Sequence, residues 1–135
     1  MRYLARREHS RDELSRKLAP HAESPELLEV LLRELESRKQ LSNERFAEVR
    51  ASWMARKYGA ARIRHDLKSK GVSEELSDRA VAELDEVAKA KEILARKYRA
   101  PATTREERAK RARFLQSRGF SYDTIYQAVR IGADE

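Results

Sequence analysis

The 135-residue sequence predicts an all-α fold: three tandem three-helix repeats forming an elongated, curved array. Three observations support this prediction. Ala, Leu, Glu, Arg and Lys dominate the composition, as in helical proteins, and no run of alternating β-branched residues indicates a strand. Two short sequence blocks recur in the same order along the chain. Residues that favour helix starts and stops recur around these blocks.

The recurring blocks define the repeats. The first block reads LARR at residues 4–7, MARK at residues 54–57 and LARK at residues 94–97. The second block occupies residues 66–73 and reappears at residues 114–121. This spacing corresponds to a period of about 40 to 50 residues. It predicts one continuous repeat domain, with repeat 1 over residues 1–41, repeat 2 over residues 42–84 and repeat 3 over residues 85–135.

Repeat 1 begins with a helix predicted over roughly residues 1–8. Ser10 and Glu13 then fit a capping box for a second helix. Ser24 and Pro25 suit the N-cap and first position of a third helix, which we expect to be amphipathic. The apolar residues expected to line this third helix are Leu27, Leu28, Leu31, Leu32 and Leu35.

Repeat 2 begins with a long helix capped by Ser42. Trp53 stands at a helical interval from Phe46 and Val49, so these three, together with Met54, are expected on the inner face, with Trp53 in the core.

A glycine separates the long helix from the next one. Gly59 is expected to permit a turn that a residue with a Cβ would resist, before a short helix over residues 60–70. Gly71 ends that helix, and Ser73 caps a third helix over residues 74–84.

Repeat 3 follows the same plan with a longer loop around its proline. We expect a first helix over about residues 85–99 and a second over residues 104–118, which Thr104 and Glu107 start with a capping box. A last helix over about residues 122–131 brings the predicted total to nine helices and no sheet. The residues that this last helix is expected to turn inward are Tyr122, Ile125, Tyr126 and Val129.

The formal net charge is +7, and the charges are segregated. Residues 50–70 hold seven basic side chains and one acid, whereas residues 71–88 hold one basic side chain and six acids. Residues 89–118 again hold eleven basic side chains against three acids. Basic groups therefore fall on the first and second helices of a repeat and acids on the third. Regular stacking predicts one basic face, suited to polyanions, and one acidic face.

Three stretches, spanning nearly the whole chain, resemble a known family. They are residues 3–10 with Glu13, Leu14, Lys17 and Leu18; Leu41 with residues 45–47, Tyr58, Gly59, residues 62–64, Leu67 and residues 70–73; and residues 96–98 with Phe114, Leu115 and residues 118–120. In this order they resemble the RecX family of bacterial regulatory proteins, which modulate the RecA recombinase. Ala60 and Arg99 depart from the pattern, since the family often has Pro and Gly at these places.

The resemblance implies a function. RecX-like proteins bind the filament of RecA on single-stranded DNA, restrain its strand exchange and ATP hydrolysis, and promote filament shortening. The expected partners are therefore the RecA filament and single- and double-stranded DNA, and we expect a monomer. The expected mechanism is occupancy of the filament groove that receives duplex DNA, which slows filament extension.

Fifteen residues are the candidate contacts with DNA or the recombinase. They are Arg56, Lys57, Tyr58, Arg62, Arg64, Lys68, Lys70, Arg96, Lys97, Tyr98, Arg99, Arg108, Lys110, Arg111 and Arg113. For each basic residue the alternative is a solvated helix face paired with nearby glutamates. Tyr58 and Tyr98 either stack on bases or close the junction between two helices, and the second role is the more frequent one.

No enzymatic chemistry is expected. His9, His21 and His65 lie far apart in sequence without any cysteine, so no metal site, cofactor or catalytic residue is predicted. The sequence contains no phosphate-binding glycine loop and no nucleophile motif. The start of the chain turns charged at once, and no apolar run approaches the roughly 18 residues of a membrane span. We therefore expect a cytoplasmic protein that does not contact the membrane.

Two other functions remain open on the sequence. One is a general basic nucleic-acid-binding helical protein without a filament partner. The other is a helical-repeat scaffold that binds proteins through an acidic face or an apolar groove. Charge reversal at Arg62, Arg64 and Lys68 distinguishes the scaffold from both DNA-related functions.

Overall fold

The structure, a computed structural model, describes residues 7–130. Within that range the chain forms eight α-helices and no strand, which confirms the all-α prediction. The helices are α1 (Arg11–Leu18), α2 (Pro25–Ser37), α3 (Asn43–Met54), α4 (Ala60–Ser69), α5 (Glu74–Ala82), α6 (Glu86–Lys97), α7 (Arg105–Ser117) and α8 (Tyr122–Arg130), with a 3-10 turn at Ala19–His21. The helix predicted over residues 1–8 lies outside the described residues, apart from Arg7 and Glu8, which are not helical.

Side-chain caps start the helices where the sequence predicts them. The Ser10 hydroxyl accepts a hydrogen bond from the Glu13 N–H and the Glu13 carboxylate accepts one from the Ser10 N–H, both at 3.1 Å, which is a complete capping box. Thr104 caps α7 in the same way, but the Glu107 carboxylate reaches back to the Thr103 N–H at 2.9 Å, so this box is displaced by one residue. The other predicted serine caps are present at Ser24, Ser42 and Ser73.

Apolar side chains collect into three separate cores. The first contains Leu14, Leu28, Leu32, Leu35 and Leu41. The second contains Phe46, Ala47, Ala51, Met54, Ala55, Ile63, Leu67, Val72, Ala80 and Val81, and the third contains Ala90, Ile93, Leu94, Leu115, Phe120, Ile125 and Ala128. The predicted repeat boundaries, 1–41, 42–84 and 85–135, stay a prediction with which this division agrees. The second and third cores each belong to three-helix packing that follows the chain order, and in the described residues the first core lies between α1 and α2.

Some of the predicted inward residues point to solvent. They are Leu27, Val49, Trp53, Tyr122 and Tyr126. In α3 the predicted inner face is confirmed for Phe46 and Met54 but is wrong for Val49 and Trp53, because the small residues Ala47 and Ala51 complete the packed side. Trp53 and Val49 fall outside this narrow arc, so Trp53 is 58% exposed. In α8, Ile125 and Ala128 occupy the side that packs on the core, so Tyr122 and Tyr126 lie outside that side and are exposed.

Two glycines end the second helices of repeats 2 and 3. Gly71 and Gly119 have φ angles of 82° and 88°, which favour a residue without a Cβ. After each, the next N–H returns to the helix: Val72 donates to the Leu67 carbonyl at 3.0 Å and Phe120 to the Leu115 carbonyl at 3.2 Å. The two copies of the second sequence block therefore fold alike.

Gly59 is needed for a different reason from the one predicted. Its φ of −86° and ψ of 174° are open to any residue, so the turn itself does not require glycine. A Cβ on Gly59, however, would lie 2.5 Å from the Gly119 carbonyl oxygen of repeat 3. The Gly59 N–H donates to the Arg118 carbonyl at 2.8 Å, and the Ala61 N–H donates to the Gly119 carbonyl at 3.3 Å. Glycine thus allows two repeats to join backbone to backbone.

A side chain from the following repeat caps the helix that lacks its own cap. Gly59 offers α4 no side-chain acceptor, and the Glu86 carboxylate accepts from the Ala60 N–H at 3.0 Å and the Ser121 N–H at 3.1 Å. At the preceding joint, the Asn43 side-chain oxygen accepts from the Arg11 N–H at 2.8 Å. Glu86 and Asn43 each begin the first described helix of their repeat. Both joints therefore use the same trans-capping contact.

An ion-pair cluster links α3 to α4 within repeat 2. Arg50 donates to both Asp66 carboxylate oxygens, at 2.9 and 3.2 Å, and the Lys70 ammonium lies 3.0 Å from one of them. Burial raises the pKa of Asp66, but the hydrogen bonds from Arg50 and Lys70 outweigh it, so the pKa lies below its ordinary value. Asp66 is thus held ionised between the two helices.

We expect Glu86→Ala to destabilise the chain, because it leaves two backbone N–H groups without their acceptor. Removing one helix cap costs about 0.5–2 kcal/mol, so we expect the free energy of unfolding to fall by about 1–3 kcal/mol. Urea unfolding followed by circular dichroism measures it. Glu92→Ala on the same helix removes only an exposed pair with Lys89 and should cost less than about 0.5 kcal/mol. Equal unfolding midpoints for the two variants would contradict the capping role of Glu86.

We expect the contribution of Asp66 to depend on pH. Since its folded-state pKa is depressed, the carboxylate stabilises the fold above the unfolded-state pKa of about 3.9, and this stability is lost as the pH falls through the folded-state pKa. Asp66→Asn should therefore lower the free energy of unfolding by about 1–3 kcal/mol at neutral pH. The difference from the wild type should shrink below about pH 4.

Urea unfolding of both proteins at about pH 7 and about pH 2.5 tests this expectation. Asp123→Asn serves as the control, because Asp123 is exposed at the start of α8. A wild-type-to-Asp66→Asn difference that stays the same at both pH values would exclude the ion pair as its source.

Candidate functional site

Cations and aromatic rings alternate across the joint between repeats 2 and 3. The Arg62 guanidinium lies 4.8 Å from the centre of the Tyr58 ring. The Arg118 guanidinium lies 5.7 Å from the same ring and 5.1 Å from the centre of the Phe114 ring. Tyr58 and Arg62 belong to repeat 2, whereas Phe114 and Arg118 belong to repeat 3. The contacts therefore cross the joint.

The alternation continues along repeat 3. The Lys97 ammonium lies 4.6 Å from the centre of Phe114 and 5.8 Å from the centre of Tyr98. The Arg111 guanidinium lies 4.4 Å from Tyr98, and the Tyr98 and Phe114 rings meet edge to face at 6.4 Å. We term the whole set the cation–aromatic row: Arg62, Tyr58, Arg118, Phe114, Lys97, Tyr98 and Arg111.

The rings of this row are packed rather than open. Tyr58 is half-buried against the second core, and Tyr98 and Phe114 are half-buried against the third. Of the two roles that the sequence leaves open for the tyrosines, this packing favours closure of helix junctions. The rings hold the cations near the surface, where each contact contributes about 0.5–1 kcal/mol.

Two open clefts flank the row, each of about 480 Å³, and Arg56 and Lys57 line both. The cleft between α3 and α4 also contains Tyr58 and Arg62, while the other contains Lys97 and its neighbours. A hydrogen bond from the Arg96 guanidinium to the Arg56 carbonyl ties the two repeats together here. These two clefts thus bring together six of the predicted site residues: Arg56, Lys57, Tyr58, Arg62, Arg96 and Lys97.

Ion pairing divides the basic residues of repeat 2 and of the joint into two groups. Arg64 pairs with Asp78 at 4.0 Å, Lys68 with Glu74 at 3.7 Å and Lys70 with Asp66 at 3.0 Å. Between residues 7 and 130, in contrast, no carboxylate forms an ion pair with the basic residues around the joint. These unpaired residues are Arg56, Lys57, Arg62, Arg96, Lys97 and Arg118. Their charge is available to an external anion.

The remaining predicted residues lie along repeat 3. Arg99 and Arg111 line a small cleft beside Pro101, where Arg111 also donates to the Ala100 carbonyl at 2.7 Å. Arg108 lines a separate apolar cleft between α7 and α8. The last two residues, Lys110 and Arg113, are exposed on α7. The structure therefore extends the basic surface along α7 but does not gather all fifteen residues into one place.

Sequence reasoning missed two members of the row, Phe114 and Arg118, although a signal was present. When the two copies of the second block are aligned, Phe114 corresponds to Asp66 and Arg118 to Lys70. In repeat 2 the acid pairs with the cation, whereas in repeat 3 an aromatic ring supports it without neutralising it. The change from acid to ring at one position therefore identifies where the free charge lies.

No metal site or membrane-spanning helix emerges from the described part of the chain. No group of three His, Cys, Asp or Glu side chains there is placed to hold a metal ion. None of the helices between residues 7 and 130 is long and apolar enough to cross a membrane.

His9 is buried, and its Nδ1 lies 3.1 Å from the Arg7 carbonyl oxygen. Burial, and after it the nearby charge of Arg7, lowers the pKa of His9. Its burial places it in the packed interior rather than at a metal site.

Two family models match this chain. The model for the second three-helix domain of RecX matches residues 42–81, and the model for the third three-helix domain matches residues 84–129. The regulatory protein RecX of Ralstonia nicotianae is 44% identical over 134 residues, covering 98% of this chain and 84% of that protein. The protein of the same name from Leptothrix cholodnii is 41% identical over 137 residues, covering 100% of this chain and 87% of the relative.

Solved structures have the same fold. The crystal structure of RecX from Lactobacillus salivarius superposes with a TM-score of 0.83 at 22% identity, covering 99% of this chain and 92% of that chain. A second crystal structure of a regulatory protein RecX gives a TM-score of 0.76 at 24% identity, covering 98% of this chain and 68% of the other. Together with the sequence matches over nearly its whole length, these findings establish that the chain belongs to the RecX family of regulatory proteins.

Proposed function

We propose that this chain binds the filament that RecA forms on single-stranded DNA and inhibits its ATP hydrolysis, strand exchange and extension. The observation that carries the proposal is the cation–aromatic row, whose four cations cross the joint between two repeats without an ion pair among the described residues. Family membership supports RecA as the partner. A row of held cations suits a surface that presents regularly spaced phosphates or carboxylates.

The row binds anions without chemical change to them. Its guanidinium groups offer several N–H donors in a fixed plane, which suits phosphate and carboxylate oxygens. The packed rings restrict the cations to a few positions before the partner arrives, which reduces the entropy lost on binding. In this proposal the protein is a cytoplasmic monomer without catalytic residues, cofactor or membrane contact.

Inhibition follows from occupancy. A body made of joined repeats contacts neighbouring RecA protomers at once, so that several weak contacts act together. Lying in the groove, it excludes the duplex DNA that strand exchange requires and hinders the addition of further protomers. The residues proposed for this contact are those of the row, together with Arg56, Lys57, Arg96, Arg99, Arg108, Lys110 and Arg113.

A general nucleic-acid-binding function is the second candidate, because the same unpaired cations suit any phosphate backbone. The scaffold function has less support, since acids that it would use are already paired within the chain. Arg11 contacts Glu29 and Glu36 at 2.6 and 3.0 Å, and Arg64 approaches Asp78. The two DNA-related candidates differ in whether the recombinase is needed for tight binding.

We expect Arg62→Glu combined with Lys97→Glu to weaken inhibition, because it reverses two charges at the centre of the row. The concentration needed to halve DNA-dependent ATP hydrolysis by RecA should rise by about tenfold or more. The measurement is the rate of ATP hydrolysis by the recombinase on single-stranded DNA with increasing amounts of each protein.

A matched control reverses two paired arginines, one on α2 and one at its C-cap. Arg33 and Arg38 form surface pairs with Glu29 and Glu34, far in sequence from the row, so Arg33→Glu with Arg38→Glu should leave inhibition within about twofold. The proposal fails if the wild-type chain does not inhibit at stoichiometric levels, or if both double variants inhibit as it does.

We expect binding to free DNA to depend on salt in proportion to the cations of the row. With four phosphates neutralised, affinity should fall by about 50- to 150-fold between about 50 and 200 mM salt. Arg62→Gln with Lys97→Gln should reduce the slope of log affinity against log salt by about 1.5. Fluorescence anisotropy of a labelled oligonucleotide measures both slopes, and equal slopes would exclude the row from the DNA contact.

A further inference from the structure

Trp53 is the large apolar side chain that the second core leaves out. Single exposed apolar side chains are common on protein surfaces, so its 58% exposure carries no weight alone. The equivalent residue of repeat 3 is Ile93, which is buried. The position can therefore be covered in this fold, and in repeat 2 it is not. What distinguishes Trp53 is the set of groups around it.

The indole is held by a braced cation. The Arg50 guanidinium lies 5.1 Å from the centre of the Trp53 ring. Arg50 is itself fixed by two hydrogen bonds to Asp66, whose other contact is Lys70. The Trp53 ring is therefore in contact with Arg50, whose position is fixed by Asp66. More than half of the surface of Trp53 stays accessible to solvent. This is the arrangement of a prepared stacking surface.

Unpaired cations share the cleft with this ring. Arg56, Lys57 and Arg62 line the same opening between α3 and α4, and none has an ion-pair partner in the described range. The cleft thus combines one accessible aromatic ring with three positive charges. A ring for a base and cations for the backbone are the two elements by which proteins bind single-stranded nucleic acid.

We propose that this cleft binds single-stranded nucleic acid, with an unpaired base stacked on Trp53 and the flanking phosphates on Arg56, Lys57 and Arg62. The inference deepens the proposed function and rests on it, because it requires that the chain meets single-stranded DNA. Duplex DNA fits less well, since its paired bases offer no free face to the indole. An acidic peptide also fits less well, because its carboxylates offer no flat ring to stack on the indole.

Trp53 reports on its own site, because it is the only tryptophan in the sequence. We would titrate the full chain with a fluorescein-labelled oligothymidine, a blunt-ended duplex and an oligoglutamate peptide, following tryptophan emission. Anisotropy of each labelled probe measures binding independently. The single strand should quench the emission along the same saturation curve as the anisotropy. The duplex should bind with little quenching.

Substitution separates stacking from charge. Trp53→Ala should weaken oligothymidine binding by about 5- to 150-fold and leave duplex affinity within about twofold. The oligothymidine affinity of Trp53→Phe should lie between those of the wild type and Trp53→Ala, since a smaller ring still stacks. Tyr122→Ala removes another exposed ring, on α8 and outside this cleft, and should bind like the wild type. Far-ultraviolet circular dichroism and unfolding midpoints establish that each variant is folded.

Three results would overturn the inference. The single strand could bind without quenching the tryptophan emission, or folded Trp53→Ala could bind it with wild-type affinity. The third is saturable quenching by oligoglutamate alone, which would assign the cleft to an acidic protein segment. Inhibition of RecA ATP hydrolysis is measured in parallel. If wild-type protein inhibits RecA but Trp53→Ala binds DNA normally, only the stacking inference fails. If wild-type protein does not inhibit, the proposed function fails whatever the fluorescence result.

Discussion

The close backbone contact between Gly59 and Gly119 is the constraint on which the functional surface depends. At this joint the N–H of Gly59 donates directly to the Arg118 carbonyl, and no Cβ fits between the two backbone segments. Glu86 then completes the contact by accepting from one N–H on each side. Because Tyr58 precedes one side of the joint and Arg118 belongs to the other, the same contact brings the cations and rings of two repeats together.

At both joints a side-chain oxygen of one repeat accepts a hydrogen bond from a backbone N–H at a helix start in the other. An amide oxygen at Asn43 caps α1 across the first joint, and a carboxylate at Glu86 caps α4 across the second. In each case the following repeat supplies the acceptor to a helix start in the preceding one. The first joint adds an ion pair between Arg45 and Glu8 at 2.7 Å. Repeats linked in this way share helix capping as well as packing with their neighbours.

The difference between repeats 2 and 3 lies in what accompanies an equivalent cation. Asp66 holds Lys70 in an ion pair, whereas Phe114 holds Arg118 by its ring face. An ion pair neutralises the charge, but a cation–π contact positions it and leaves its N–H groups to solvent or a partner. Asp66 has a second consequence, because it also fixes Arg50 against Trp53. Asp66 therefore neutralises Lys70 and also fixes Arg50 beside the Trp53 ring.

The sequence by itself determined the all-α class, the helix starts and the repeat pattern, because caps, glycine stops and apolar spacing act within a few residues. It also indicated the basic residues, although not which of them are paired. Only the tertiary structure decided that Trp53 is exposed, that Gly59 serves a close approach, and that Phe114 and Arg118 complete the row. These features depend on groups far apart in sequence. In α3, the packing of Ala47 and Ala51 against the core leaves Trp53 facing solvent. Whether a basic side chain is paired depends on which acidic side chain the fold brings close to it.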